Sequence, residues 1–76
     1  MKIIYELKKE DLRSLGAMWA NPTFVWRRLY SGLGVAQSAG NVDYGEAIEW
    51  KKKNYWWTSG DLRSVMYTIV EIEVID

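Results

Sequence analysis

The sequence predicts an α+β domain: a small antiparallel sheet of about three strands, including both terminal segments, packed on two or three short helices. Three observations carry this expectation. Apolar and polar residues alternate near both ends, an apolar period close to 3.6 residues fills the interval, and turn-forming residues separate the two patterns.

Residues 2–7 place Ile3, Tyr5 and Leu7 on one side and Ile4 and Glu6 on the other, which reads as a strand. From 10 to 20, Leu12, Leu15, Gly16 and Trp19 share a helical face, with Glu10 and Asp11 favourably placed in the first turn. Asn21 and Pro22 stop that segment and suit the N-cap and first position of a second helix over 22–31. In that helix Trp26, Leu29, Tyr30 and Leu33 form the core stripe, and Phe24, Arg27, Arg28 and Ser31 the opposite face. A strand from Thr23 to Trp26 is the alternative. Residues 31–40, small and glycine-rich, read as a mobile loop, with Gly32 ending the helix in a left-handed conformation.

Asp43 and Glu46 have capping-box spacing, and Tyr44, Ala47, Ile48, Lys51 and Tyr55 follow at helical intervals, so a helix is expected over 44–54. The competing strand reading rests on Ile48 and Trp50 alternating with Glu49 and Lys51. Residues 55–58 favour a strand, and Ser59, Gly60 and Asp61 a turn. Residues 65–75 form the clearest strand, with Thr68, Val70, Ile72 and Val74 on one face. Ile69, Glu71, Glu73 and Ile75 lie on the other, which the glutamates mark as the wetter one. Asp11-Leu12-Arg13-Ser14 recurs as Asp61-Leu62-Arg63-Ser64, but two copies do not make a repeat fold.

Seventy-six residues leave room for one domain and one core. Apolar residues make up 49%, which suits a globular chain rather than a disordered one. The absence of cysteine and histidine removes disulfides, the common nucleophile–base pairs and ordinary zinc sites, so neither metal nor cofactor is expected. The opening run, Ile3-Ile4-Tyr5, is too short for a signal peptide or a membrane span. A cytoplasmic protein without a membrane partner is therefore expected. Formal charge is zero but uneven: residues 1–38 carry six basic and three acidic groups, and residues 39–76 four and seven. A neutral total argues against wholesale binding to a phosphate backbone, while a local basic patch remains possible.

Catalytic constellations are poor. No serine sits in a nucleophile elbow. Glu46 and Glu49 near Trp50 resemble a glycosidase pair, but helix capping and pairing of Glu49 with Lys52 or Lys53 explain them better. Gly32-x-Gly34 has Gln37 where a dinucleotide loop requires glycine or alanine. An enzyme is not expected.

The densest signal is Trp50-Lys51-Lys52-Lys53-Asn54-Tyr55-Trp56-Trp57. Cations beside large rings are how single-stranded nucleic acid is held, and such rings also dominate protein-binding hot spots. The pleat adds a constraint. Neighbours in a strand point to opposite faces, so a one-sided core cannot take both Trp56 and Trp57; Tyr55 goes with Trp57, which leaves Trp56 outside. The plainer alternative is a solvated helix end over Lys51–Lys53 and an extra Trp under the 31–40 loop. Arg27 and Arg28, with Phe24, form a second candidate surface, their plain alternative being salt bridges to Glu71, Glu73 or Asp76.

The expectation is thus a small non-enzymatic protein-binding module of the inhibitor or adaptor type, docking through these aromatic and basic residues. Such chains occur, for instance, in phage or mobile-element genomes. Single-stranded nucleic-acid binding through Lys51–Lys53 and self-association into a homo-oligomer are the alternatives.

Overall fold

In the computed structural model, which describes residues 2–12, 22–54, 56–59 and 65–75, the elements run β1 (Lys2–Asp11), β2 (Thr23–Tyr30), α1 (Leu33–Tyr44), β3 (Trp50–Lys53), β4 (Trp56–Ser59) and β5 (Val65–Val74). The five strands form one sheet in the order β2-β1-β5-β4-β3, with every neighbouring pair antiparallel. The two longest strands, β1 and β5, lie side by side from Lys2↔Val74 to Asp11↔Val65.

This corrects the expected three strands on two or three helices: the described residues form five strands and one helix. The segment expected as a helix over 22–31 is β2, because Thr23, Phe24, Val25, Trp26 and Tyr30 are β-branched or aromatic and gain more from cross-strand packing than from a helix. The segment expected as a helix over 44–54 divides: Tyr44 ends α1 and Trp50–Lys53 is β3. Glu10 and Asp11 belong to β1 rather than to a helix first turn. Leu12, the first residue of the expected helical stripe, is buried but not helical; residues 13–20 of that expected helix, the Asn21 cap, Tyr55, the turn at Gly60 and Asp61, and most of the short repeat lie outside the described residues.

The expected loop over 31–40 is mostly helix. Gly32 does not close a helix; it precedes α1 in extended conformation (φ −141°, ψ 150°). The left-handed glycine is Gly45 (φ 90°) at the other end, where its N–H donates to Asn41 O at 2.9 Å. Asp43 therefore lies in the last turn of α1 and does not cap a following helix, and Glu46 lies beyond the helix end. Lys53 and Trp56 pair across a tight hairpin whose Asn54 has φ 50°, a conformation asparagine tolerates.

Helix α1 covers one face of the sheet, packing on β1, β2 and β5. Leu7, Ala36, Ile48, Tyr67 and Ile69 are buried there, with Trp26, Tyr44, Trp50 and Trp57 against them. Tyr67 is the hub: the rings of Tyr44, Trp26 and Trp50 lie 6.1, 6.3 and 6.4 Å from it, all tilted or edge-on. On β5 the expected assignment of faces is reversed. Ile69, Glu71 and Glu73 share the helix side; Ile69 is buried there, whereas Glu71 is exposed and accepts a hydrogen bond from Tyr5 Oη at 3.4 Å. Thr68, Val70 and Ile72 line the other side, the helix-free face, on which no helix lies among the described residues.

Two polar side chains of α1, Asn41 and Asp43, tie the helix to the sheet and to the segment that leads into β3. Asn41 Oδ1 accepts from both Ile48 N and Trp50 Nε1, each at 3.1 Å. Asp43 Oδ2 accepts from Lys9 Nζ at 2.7 Å and Tyr67 Oη at 2.5 Å. Burial pushes the Asp43 carboxyl up, but the two hydrogen bonds and the charges of Lys9 and Arg28 outweigh it and hold it below the ordinary carboxylate value. Burial first, and then the same contact with Asp43, raise the Tyr67 phenol. An acid in the last turn of a helix opposes the dipole, and Lys9 offsets that. Because the folded carboxyl titrates lower than the unfolded one, its stabilisation is complete above about pH 4 and is lost as pH falls through the folded value. Asp43→Ala is expected to cost about 1–3 kcal/mol at neutral pH and to flatten the acid limb of stability. Urea unfolding between pH 3 and 7 measures both effects; a variant as stable as the parent and equally pH-dependent would remove this role.

Candidate binding surface

Strand alternation and register place the side chains of the helix-free face on a grid. Leu29, Glu6, Val70, Trp56 and Lys53 form one row across the five strands. Arg27, Lys8, Thr68, Thr58 and Lys51 form the next, and Phe24, Glu10 and Met66 a third. Ile4 and Ile72 pair at the other end. Successive strands are about 4.8 Å apart, so each row is a continuous line of side chains. The central strand β5 contributes only apolar residues and threonine, whereas both edge strands end in cations: Arg27 on β2, Lys51 and Lys53 on β3.

A shallow groove of about 300 Å³ runs over this face, lined by Lys8, Glu10, Trp56, Thr58, Met66, Thr68 and Val70. Trp56 forms one wall and remains 43% exposed; Leu29 is 60% and Phe24 57% exposed. Charge inside the groove is locally balanced, since Lys8 lies 3.8 Å from Glu10. At the rim, Lys51 meets Glu49 at 3.9 Å on the same side of β3, a two-residue strand spacing that replaces the helical pairing of Glu49 with Lys52 or Lys53.

The structure divides the candidate residues between two faces. Phe24, Arg27, Lys51, Lys53 and Trp56 share the open face. Trp50 and Trp57 pack on the core beneath α1, and Lys52, paired with Trp57, lies on that side too. Trp56 and Trp57 thus part as the pleat requires. Tyr55 lies outside the described residues. Arg27 and Arg28 do not share one outward face, because in a strand they point to opposite sides; Arg28 stacks on Trp26 with its guanidinium carbon 4.0 Å from the ring centre. Neither arginine forms an ion pair with Glu71 or Glu73 among the described residues.

Sequence reasoning missed Val70, Met66, Lys8 and Leu29 as companions of Trp56. Their shared face follows from register, which periodicity in one segment does not supply. It also missed Asn41, Asp43 and Lys9 as the contacts that fix the helix. The sequence signal for it is slight: Asp43 is the first acid after residues 12–42, which carry three arginines and no carboxylate.

Among the described residues no three potential metal ligands cluster, and no helix is long and apolar enough to cross a membrane. No family model matches the chain, and no curated protein or solved structure shows detectable similarity to it.

Proposed function

We propose that this chain is a non-enzymatic protein-binding module whose helix-free sheet face docks on an apolar, acid-rimmed surface of a partner protein. The observation that supports this is the exposed Trp56 ring, set among Val70, Met66 and Thr58 with basic residues on both flanking edges. A sheet face of aliphatic residues around one large ring matches the make-up of binding hot spots and of sheets that pack on another layer. The groove presents no paired carboxylates, and Glu46 and Glu49 lie outside it, which favours binding over catalysis.

Charge selects the occupant. Two copies stacked face to face about a two-fold axis along the strands would lay β2 over the partner's β3, bringing Arg27 onto Lys51 and Lys53. A two-fold across the strands would lay β3 on itself. Either arrangement opposes like charges at the rim. An acidic rim on a different protein satisfies both edges at once.

Trp56→Ala should leave stability nearly unchanged, within about 1 kcal/mol, because the ring is already in contact with water. The same change should weaken capture of the natural partner by tenfold or more. Crosslinking through a photoreactive residue at position 56, followed by mass spectrometry, tests the reading. A stoichiometric protein adduct lost in the Lys51→Glu/Lys53→Glu variant supports it. Recovery of nucleic acid instead, released by salt, would replace it with stacking of bases on Trp56.

A further inference from the structure

The two outer edges of the sheet differ. Strand β3 is four residues long and carries Lys51, Lys52 and Lys53, the short, lysine-bearing edge that resists further pairing. Strand β2 is eight residues long and has no lysine. Its bulge lies opposite Lys9 and Glu10, so Trp26–Tyr30 keeps regular register with Tyr5–Lys9. Alternate residues of that stretch turn both N–H and C=O away from β1, and among the described residues no strand meets them.

Beside this edge lies a second groove, of about 400 Å³, between β2 and α1, lined by Arg28, Val35, Ser38, Ala39, Val42 and Asp43. Val35, Ala39 and Val42 follow at helical spacing, and Val42 is 82% exposed, an unusual position for valine on a helix. The two halves of the site are complementary: the edge offers backbone hydrogen bonds, and the helix offers an apolar ceiling for alternate side chains of whatever pairs there.

We propose that Trp26–Tyr30 is a strand-addition site for an extended segment of another protein with the pattern apolar–acidic–acidic–apolar. The pattern follows from the edge residues. A strand paired there would set one residue opposite Arg28 on the helix side and its neighbour opposite Arg27 on the open side. Neither arginine has an ion-pair partner among the described residues, and Asp43 is already held by Lys9 and Tyr67. Two consecutive acids therefore meet two cations, one on each face. The flanking positions face Trp26, beneath the α1 groove, and Leu29, on the open side, and call for apolar side chains. This four-residue pattern reads the same in both directions, so it holds for a parallel or an antiparallel guest. A second copy of β2 is the wrong guest, because full-length antiparallel self-pairing would gather four arginines at the centre of the ladder. This site shares Arg27 and Leu29 with the helix-free face, but it rests on the open backbone of β2 and the α1 groove and does not depend on the reading of Trp56.

The test uses the full chain and a capped synthetic peptide, acetyl-Thr-Val-Glu-Glu-Val-Thr-amide, with a Val-Lys-Lys-Val version as control. Binding is followed by amide NMR shifts and isothermal titration. The acidic peptide is expected to bind saturably and to protect amides within 26–30, and the lysine peptide not to bind. N-methylation of alternate peptide amides in one phase should abolish binding and in the other phase spare it, as a one-sided ladder requires. Arg27→Glu and Arg28→Glu should each weaken binding by about tenfold or more, whereas Lys52→Glu, an equal charge change at the far edge, should not. Arg27→Glu serves if loss of stacking on Trp26 unfolds the Arg28 variant. No saturable binding of the acidic peptide overturns the proposal. So does indifference to N-methylation in both phases, or protection at β3 instead of β2.

Discussion

Replacing Gly40 by alanine is expected to destabilise the domain by about 1–3 kcal/mol, although the same change inside an exposed helix would stabilise it by about 1 kcal/mol. The sign is decided by Trp50. A β-carbon on Gly40 would lie 2.7 Å from Trp50 Cζ2 and 3.0 Å from Cη2, closer than non-bonded carbons tolerate. The indole cannot swing aside cheaply, because its Nε1 donates to Asn41 and its ring packs edge-on against Tyr67. Denaturant unfolding of Gly40→Ala, Trp50→Leu and the double variant isolates the contact. In the Trp50→Leu background the alanine should become neutral or stabilising, giving a coupling energy of about 1–3 kcal/mol between the two sites. A Gly40→Ala protein more stable than its parent would show that α1 does not approach β3 this closely.

The largest loss is expected from Leu7→Ala. Leu7 and Ile69 are both fully buried and are register partners at the centre of the sheet, beneath the helix. Removing three carbons there costs about 2–5 kcal/mol. At roughly 0.05–0.15 kcal/mol per residue, a chain of this size holds only about 4–11 kcal/mol in total, so the variant should lose a large share of its stability and melt at a distinctly lower temperature. Ile69→Val, which deletes one methyl group, should cost about 0.5–1.5 kcal/mol. Because the two side chains touch the same space, Leu7→Ala and Ile69→Ala should not add. Thermal unfolding followed by circular dichroism reads these differences; a Leu7→Ala protein within 1 kcal/mol of the parent would place the core elsewhere.

These expectations come from packing that the sequence discloses only in part. Strand β5 is plain, because Val65–Val74 is rich in β-branched residues, and the parting of Trp56 from Trp57 follows from the pleat alone. Strand β2 is not, since Trp26, Leu29, Tyr30 and Leu33 also fit a helical stripe, and short apolar runs satisfy both periods. Helix α1 is the least legible element. Its two buried residues are Ala36 and Gly40, so it shows no stripe of large side chains, and its glycines oppose helix formation locally. It forms because a small-residue face lets the backbone settle against Trp50 and Leu7, a gain visible only once those partners are in place. The candidate surfaces follow the same logic. Arg27 and Arg28 stand out in the sequence as cations, yet which face each serves depends on whether residues 23–30 are strand or helix.

The ladder between β1 and β5 joins residues from opposite ends of the sequence and sits in the middle of the sheet. During synthesis β1 and β2 leave the ribosome long before β5, so β1 must wait with one side of its backbone open. Closing a loop of nearly the whole chain carries an entropic cost that nearby contacts cannot defray, and folding should run in milliseconds to seconds rather than microseconds. A nascent chain arrested before residue 65 should accordingly be protease-sensitive throughout and engage holding chaperones, acquiring resistance in a single step once β5 emerges.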